Sequence, residues 1–187
     1  MPTRIIEIID SVDKCQLKLR DISSIENAPY AALSYCWGGE QVVKCTTDTI
    51  NTWLIEIPFG ILPKTIQDSV IVCRRLAIRY LWIDSLCIVQ DDTPDKSFEI
   101  AQMPHIYRNA RLTIAAARAR TVREGFLHQR TATEHTQDIF ELPYCGPGAD
   151  GSITLFRTES GPEPIDERAW TLQERLLSPR TLEFGVR

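Results

Sequence analysis

The sequence offers little material for a metal site or a disulfide framework. It has only three histidines, and its six cysteines include no C-x-x-C pair. The histidines show no metal-ligand spacing with the cysteines, so we expect no bound metal. Cys36, Cys73 and Cys87 lie inside apolar segments, which is typical of buried, reduced thiols. These features predict a reduced, cytoplasmic protein.

Long apolar runs and a basic excess are also missing. No uninterrupted apolar stretch approaches the roughly 20 residues that cross a bilayer. Glu7, Asp10 and Asp13 interrupt the beginning of the chain, which argues against a signal peptide. The 25 acidic and 21 basic residues give a net charge of −4, opposite to the field that a general nucleic-acid binder needs. We therefore expect no membrane span and no nucleic-acid partner.

What the 187 residues do contain is the pattern of a globular α/β protein. Apolar residues make up 43% of the chain and charged residues 25%, as in ordinary soluble domains. Three short apolar runs predict buried strands, at residues 30–37, 80–89 and 111–117. Between them, one helix is predicted over 65–79, and a second begins near Asp95 with a kink or restart at Pro104. This alternation favours a mostly parallel sheet flanked by helices.

We interpret the chain as one domain with four parts. These are a lead-in hairpin over 1–29, an α/β core over 30–130, an antiparallel hairpin with an acidic loop over 131–167, and a closing helix and strand over 168–187. The antiparallel hairpin is predicted around a long glycine-rich loop at 146–151. In the closing helix, Trp170 and Leu172 are expected to pack under the sheet. The sequence leaves open whether the chain is complete or truncated.

Polar and aromatic side chains gather at the predicted ends of two strands. Asp84, in the apolar run YLWIDSLCIV, is either a buried partner of backbone amides or an arginine, or a ligand-binding group beside Ser85. The end of the first strand adds four candidate binding residues, Ser34, Tyr35, Trp37 and Gly38. Together the two strand ends predict one crevice. The closing helix is either a docking helix or the source of an arginine, Arg168 or Arg175, that pairs with Asp84 or binds phosphate.

Six segments of the chain form an ordered series of motifs. They are YAALSYCWGG, LPKTIQDSV, RYLWIDSLCIVQDD, FEIAQMPHIYRNARLTIAAA, GFL and RAWTLQERLLSPR, from about residue 30 to residue 180. In this order they resemble the heterokaryon incompatibility (HET) domain of filamentous fungi. The resemblance implies non-self recognition between fungal cells, ending in growth arrest or programmed death. It also implies a remote likeness to TIR domains, which have a flavodoxin-like sheet and in many cases cleave NAD.

The likeness to TIR enzymes implies a catalytic carboxylate at Glu99, on the helix that follows Ser85-Leu86-Cys87. Such a carboxylate stabilises the oxocarbenium-like centre that forms as nicotinamide leaves the ribose. NAD would then be a substrate, and no cofactor would be permanently bound. From the residues alone, the alternative is an ordinary exposed helix glutamate. Where the family has tryptophan after the aspartate that opens this helix, the chain has Lys96.

A second interpretation involves no catalysis. In it the domain signals by self-association or by recruiting a partner, downstream of a non-self sensor protein. Apolar groups exposed beside the arginine-rich segment 104–130 would suit that role. Composition and spacing do not choose between an enzyme and a signalling module.

Overall fold

The computed structural model describes residues 2–10, 15–22, 29–128, 139–146, 149–156, 163–168 and 171–185. The chain forms two compact units. One comprises Met1–Phe126 with Glu163–Arg187, and the other comprises Leu127–Pro162.

The described residues contain eight strands and five α-helices. The strands are β1 (Arg4–Asp10), β2 (Cys15–Asp21), β3 (Tyr30–Ser34), β4 (Tyr80–Trp82), β5 (Leu112–Ala115), β6 (Ile139–Gly146), β7 (Ala149–Phe156) and β8 (Thr181–Glu183). The helices are α1 (Ile50–Trp53), α2 (Lys64–Arg75), α3 (Asp84–Cys87), α4 (Thr93–Asn109) and α5 (Thr171–Leu177). Two 3-10 turns span Phe59–Ile61 and Pro164–Glu167.

The first unit is built on a six-stranded sheet in the order β2–β1–β4–β3–β5–β8. Strands β4, β3, β5 and β8 run parallel, and the β1–β2 hairpin joins them antiparallel to β4. Among the parallel strands, the spatial order is second, first, third, fourth in the chain, as in flavodoxin-like sheets. The predicted α/β fold with a mostly parallel sheet is confirmed.

The sequence predicted the buried face of helix α2 but not the residue at which the helix ends. In α2, Ile66, Val70 and Cys73 are fully buried on one face, as the helical period predicted. The predicted end of this helix at residue 79 is wrong. The helix ends at Arg75, and Ala77 turns the chain towards β4 with a left-handed φ of 54°.

The predicted strand over 80–89 is wrong beyond Trp82. Residues Asp84–Cys87 form the short helix α3 instead. The Asp84 carboxylate accepts the backbone N–H of Ser85 at 2.7 Å, which satisfies a donor that the start of a helical turn leaves free. The residues from Leu86 to Val89 are buried although they are not in a strand. A continuous apolar run therefore did not reveal that the strand gives way to a helix.

Helix α4 begins two residues before the predicted start and continues through Pro104 to Asn109, so the predicted restart does not occur. The Asp92 side chain accepts the N–H of Asp95 at 3.1 Å and caps the helix. Pro94 lies in the first turn, where its missing N–H leaves no helical bond unmade.

The second unit contains an antiparallel hairpin, as predicted, but its strands are longer. Strand β6 pairs with β7 from Ile139↔Phe156 to Gly146↔Ala149. The predicted long loop at 146–151 is therefore wrong, because Gly146 and Gly151 both belong to the paired strands.

Helix α5 of the first unit differs from the prediction in one side chain. Leu172 is 66% exposed, so its predicted packing under the sheet is wrong. Trp170 lies outside the described residues.

Candidate functional site

The carboxyl ends of β3 and β4 lie side by side. The two strands are parallel neighbours, with Ala32 opposite Trp82. Each strand therefore delivers the residues that follow it to the same edge of the sheet. Trp37 comes from the loop after β3, and Asp84 opens α3 after β4. This edge is where open α/β sheets bind ligands.

Asp84 is the centre of the hydrogen bonding at this edge. Its Oδ2 accepts the indole N–H of Trp37 at 3.0 Å, and its backbone carbonyl accepts the Gln90 amide at 3.1 Å. Burial raises the pKa of Asp84, and the charge of Arg168 together with the hydrogen bonds offsets only part of the rise. Asp84 is thus bound to a backbone amide and lies in the field of Arg168, as the first alternative predicted. It also lines a cavity, and its role in ligand binding stays a prediction.

The cavity measures about 310 Å³. Its lining combines an aromatic ring, apolar side chains, an amide and charges of both signs: Trp37, Asp84, Ile88, Gln90, Lys96, Ile100, Met103 and Arg168. Three of the apolar and charged members, Lys96, Ile100 and Met103, come from α4. Such a lining offers apolar surface together with polar and charged groups to a ligand.

Tyr35 and Ser85 support the cavity from behind. The Tyr35 hydroxyl donates to Ser85 Oγ at 2.8 Å, and both residues are fully buried. Burial, reinforced by the charge of Asp84, holds the pKa of Tyr35 well above its usual range. Neither side chain lines the cavity, and the predicted role of these two residues in ligand binding stays a prediction.

Ser34 connects the strand end to α5. Its hydroxyl donates to Glu174, which is buried, and Glu174 Oε1 lies 3.6 Å from Arg168 Nη2. Burial raises the pKa of Glu174, and Arg168 counters this effect in part. Arg168 Nη1 is buried and has no hydrogen-bond partner in the described ranges. The charge of Arg168 thus stabilises the ionised form of two carboxylates, Asp84 and Glu174.

The family model for "Heterokaryon incompatibility protein (HET)" matches residues 30–174 of the chain. The chain belongs to the HET family. It is also similar to heterokaryon incompatibility protein 6, OR allele, of Neurospora crassa, at 32% identity over 97 residues. That alignment covers 43% of this chain and 13% of the relative, so the chain corresponds to a small part of that protein. No solved structure matches the chain.

The predicted binding residues of this HET domain meet around one edge of the sheet, but only two line the cavity. Trp37 and Asp84 do so, whereas Ser34, Tyr35 and Ser85 lie behind them. Gly38 is likewise not a lining residue. It adopts a left-handed φ of 68° and passes directly over Thr121.

Glu99 of the HET domain is buried on α4 and is not among the residues that line the cavity. It is 0% exposed, so the alternative that it is an ordinary exposed helix glutamate is wrong. Neither carboxylate oxygen has a hydrogen-bond partner in the described part of the chain. The titratable groups on which its charge acts include Arg4 and the Cys87 thiol. Its catalytic role stays a prediction.

No role was predicted from the sequence for Glu174 or for the α4 side of the cavity. The RAWTLQER motif pointed to Arg168 and Arg175, and the structure separates them. Arg168 joins the cavity, while Arg175 pairs with Asp166 and Glu183 on the surface. Glu174 carried no signal of its own, because a glutamate in a polar helix is normally exposed.

Each helix in the described part of the HET domain is too short or too polar for a transbilayer span.

Proposed function

We propose that this HET domain acts in fungal heterokaryon incompatibility by cleaving NAD or a related nucleotide in the Trp37–Asp84 cavity. The observation that carries the proposal is the 3.0 Å hydrogen bond from Trp37 to Asp84, which fixes an aromatic ring and a carboxylate at one cavity wall. The family match and the Neurospora relative support the biological role.

The lining suits the nicotinamide end of NAD. A nicotinamide ring linked to ribose is cationic, and an indole face attracts cations. As the bond from the ring nitrogen to the ribose breaks, its electron pair leaves with nicotinamide and positive charge develops on the ribose. A carboxylate beside that carbon stabilises the charge, and water then adds there and releases a proton, giving ADP-ribose. Asp84 is the carboxylate on the cavity.

One cation of the cavity suits the phosphate groups of NAD. Lys96 is exposed in the first turn of α4 and lines the cavity. An ammonium in that position offers a charge partner to a phosphate. Arg168 already faces Asp84 and Glu174, so its charge is largely used within the protein.

The test is nicotinamide release from NAD by the full chain at high protein concentration, measured by chromatography. We expect Asp84→Asn to lower the rate by about 100-fold or more, as removal of an electrostatic stabiliser does. The matched control is Asp48→Asn, an exposed aspartate away from the cavity, which should leave the rate unchanged. Glu99→Gln is assayed beside them. Loss of turnover in Glu99→Gln with full turnover in Asp84→Asn would transfer the catalytic role to Glu99.

A second candidate is a signalling module without catalysis. The feature that favours it is the exposure of Leu172 and Leu176, 66% and 75%, one turn apart on α5. Exposed leucines in such a pair favour self-association or recruitment of a partner, for example a non-self sensor. A wild-type chain that self-associates but releases no nicotinamide would favour this function over the enzymatic one.

A further inference from the structure

One segment supplies much of the cavity wall. Ile88 and Gln90 lie in the turn after α3, and Lys96 lies in the first turn of α4. The segment from residue 87 to residue 96 therefore has to be held in place for the cavity to keep its shape. Both of its ends contact one side chain that does not itself line the cavity, and that side chain is Arg4 in β1.

The contacts of Arg4 are short and well directed. Its Nε donates to the backbone carbonyl of Cys87 at 2.8 Å. Its Nη2 lies 2.7 Å from Oδ1 and 2.5 Å from Oδ2 of Asp95. Asp95 Oδ2 in turn accepts the backbone N–H of Val89 at 3.0 Å. One guanidinium and one carboxylate thus close a ring around the backbone of the turn that carries Ile88.

The ion pair is largely shielded from water. The side chains of Arg4 and Asp95 are 11% and 20% exposed. Burial acts to lower the pKa of Arg4, but the hydrogen bond and charge of Asp95, with a further contribution from Glu99, raise it overall. Glu99, one turn after Asp95 on α4, adds to the favourable electrostatic interactions of Arg4. Removing the guanidinium leaves Asp95 without its cation in a largely buried place, which is strongly unfavourable.

We propose that Arg4 is a positioning residue for the cavity. It holds the turn between α3 and α4 so that Ile88, Gln90 and Lys96 keep their places in the cavity wall. Arg4 lies outside residues 30–174, the part of the chain that the family model matches. The lead-in hairpin therefore completes the site from outside that segment. The ligand used in the test, NAD, rests on the proposed function, whereas the holding of the turn does not.

The experiment compares Arg4→Met with Arg20→Met. Arg20 lies in the same hairpin and pairs with Glu7 at 2.6 Å, so its substitution also breaks a short ion pair in the hairpin. Hydrogen exchange of the amides at 88–96 and the Kd for NAD are measured for each, at temperatures equally far below each variant's Tm. We expect Arg4→Met to speed exchange at 88–96 and to raise the Kd, each by about tenfold or more, because a lost charged hydrogen bond exceeds the roughly 1.4 kcal/mol of a tenfold change. Arg20→Met should do neither.

A conservative variant adds a graded readout. In Arg4→Lys the ammonium keeps a charge for Asp95 but loses the planar fork that reaches Cys87 and Asp95 together. Its exchange rate and Kd should fall between those of the wild type and Arg4→Met. Exchange at 88–96 in Arg4→Met that is no faster than in Arg20→Met would overturn the proposal. If the wild type binds NAD, a Kd of Arg4→Met equal to that of the wild type would overturn it too. A wild type that does not bind NAD refutes the nucleotide function, and exchange alone then decides the role of Arg4.

Discussion

Gly38 shows how closely the loop after β3 passes its neighbour. Its φ of 68° lies in the left-handed region. A Cβ at this position would lie 2.4 Å from Thr121 Cγ2 and 2.7 Å from the Thr121 Cα atom. The backbone of Thr121 cannot yield in the way that the end of a flexible side chain can. The glycine therefore fixes the path of the chain immediately after Trp37.

We predict that Gly38→Ala destabilises the fold by about 2–4 kcal/mol, because it combines a strained φ with overpacking. In a chain of this size the loss should lower Tm by about 5–10 °C, measured by circular dichroism. Gly60→Ala is the matched control, since a Cβ there meets no atom within 4 Å. Its effect should stay within about 0.5 kcal/mol. Equal Tm values for the two variants would contradict this account of Gly38.

Only the residues of the candidate site that directly follow a buried strand were predictable from the sequence. Trp37 and Asp84 each follow a buried strand, and parallel strands bring their ends together. Lys96 and Glu174 lie on helices, and no local pattern says which helix face meets the cavity. Their places depend on how α4 and α5 pack against the sheet, which a single sequence does not encode locally. Arg4 was missed for the same reason, since its partner Asp95 is 91 residues away.

Among the structural elements, β1 is linked to both of its neighbours through one buried carboxylate, that of Glu7. Glu7 of β1 is 2% exposed and accepts hydrogen bonds from Arg20 in β2, at 2.6 Å, and from Arg79 next to β4. One carboxylate therefore connects β1 to both neighbouring strands. Burial acts to raise the pKa of Glu7, but the two arginines outweigh it and lower the pKa overall.

The sign of this shift predicts an acid-sensitive hairpin. A carboxyl whose pKa is lower in the folded chain stabilises the fold above its unfolded pKa, and this contribution is lost as the pH falls through the folded value. The urea midpoint of the wild type should exceed that of Glu7→Gln at about pH 7, and the difference should shrink towards zero as the pH falls through the lowered folded pKa of Glu7. The raised pKa values of Asp84 and Glu174 act in the opposite direction, but they are common to both proteins and cancel in the comparison. A difference that persists at low pH would show that Glu7 stabilises the hairpin by packing and not by its charge.

Element types were easier to predict than element ends. The buried strands at β3 and β5 and the helices α2 and α4 were all expected from their apolar patterns. The ends were misplaced where side chains compete with the backbone pattern, as at Asp84, or where a left-handed residue turns the chain, as at Ala77. Apolar periodicity indicates which residues are buried. In α3, Ser85, Leu86 and Cys87 stay buried although the backbone passes from strand to helix there.

Across the whole chain, the sheet extends beyond the segment that the family model matches. The family match begins at residue 30, yet β1 lies inside the sheet and pairs with β4. The hairpin adds five buried apolar side chains to the core, Ile5, Ile6, Ile8, Leu17 and Leu19. At about 1.5–3 kcal/mol for each side chain, their burial is comparable with the 5–15 kcal/mol that separates a typical folded domain from its unfolded state.

We therefore predict that a fragment of residues 30–187 does not unfold cooperatively, because it exposes the edge of β4 and the apolar surface that β1 covers. Thermal melts followed by near-ultraviolet circular dichroism should show a sigmoidal transition for the full chain and a broad, shallow slope for the fragment. Adding a peptide of residues 1–29 should restore part of the signal, since the hairpin pairs with β4 by backbone hydrogen bonds that do not require a covalent link. A scrambled peptide of the same composition controls for nonspecific binding. A fragment that melts sharply within a few degrees of the full chain would show that the HET segment folds without its lead-in hairpin, and β1 would then be an accessory to the sheet.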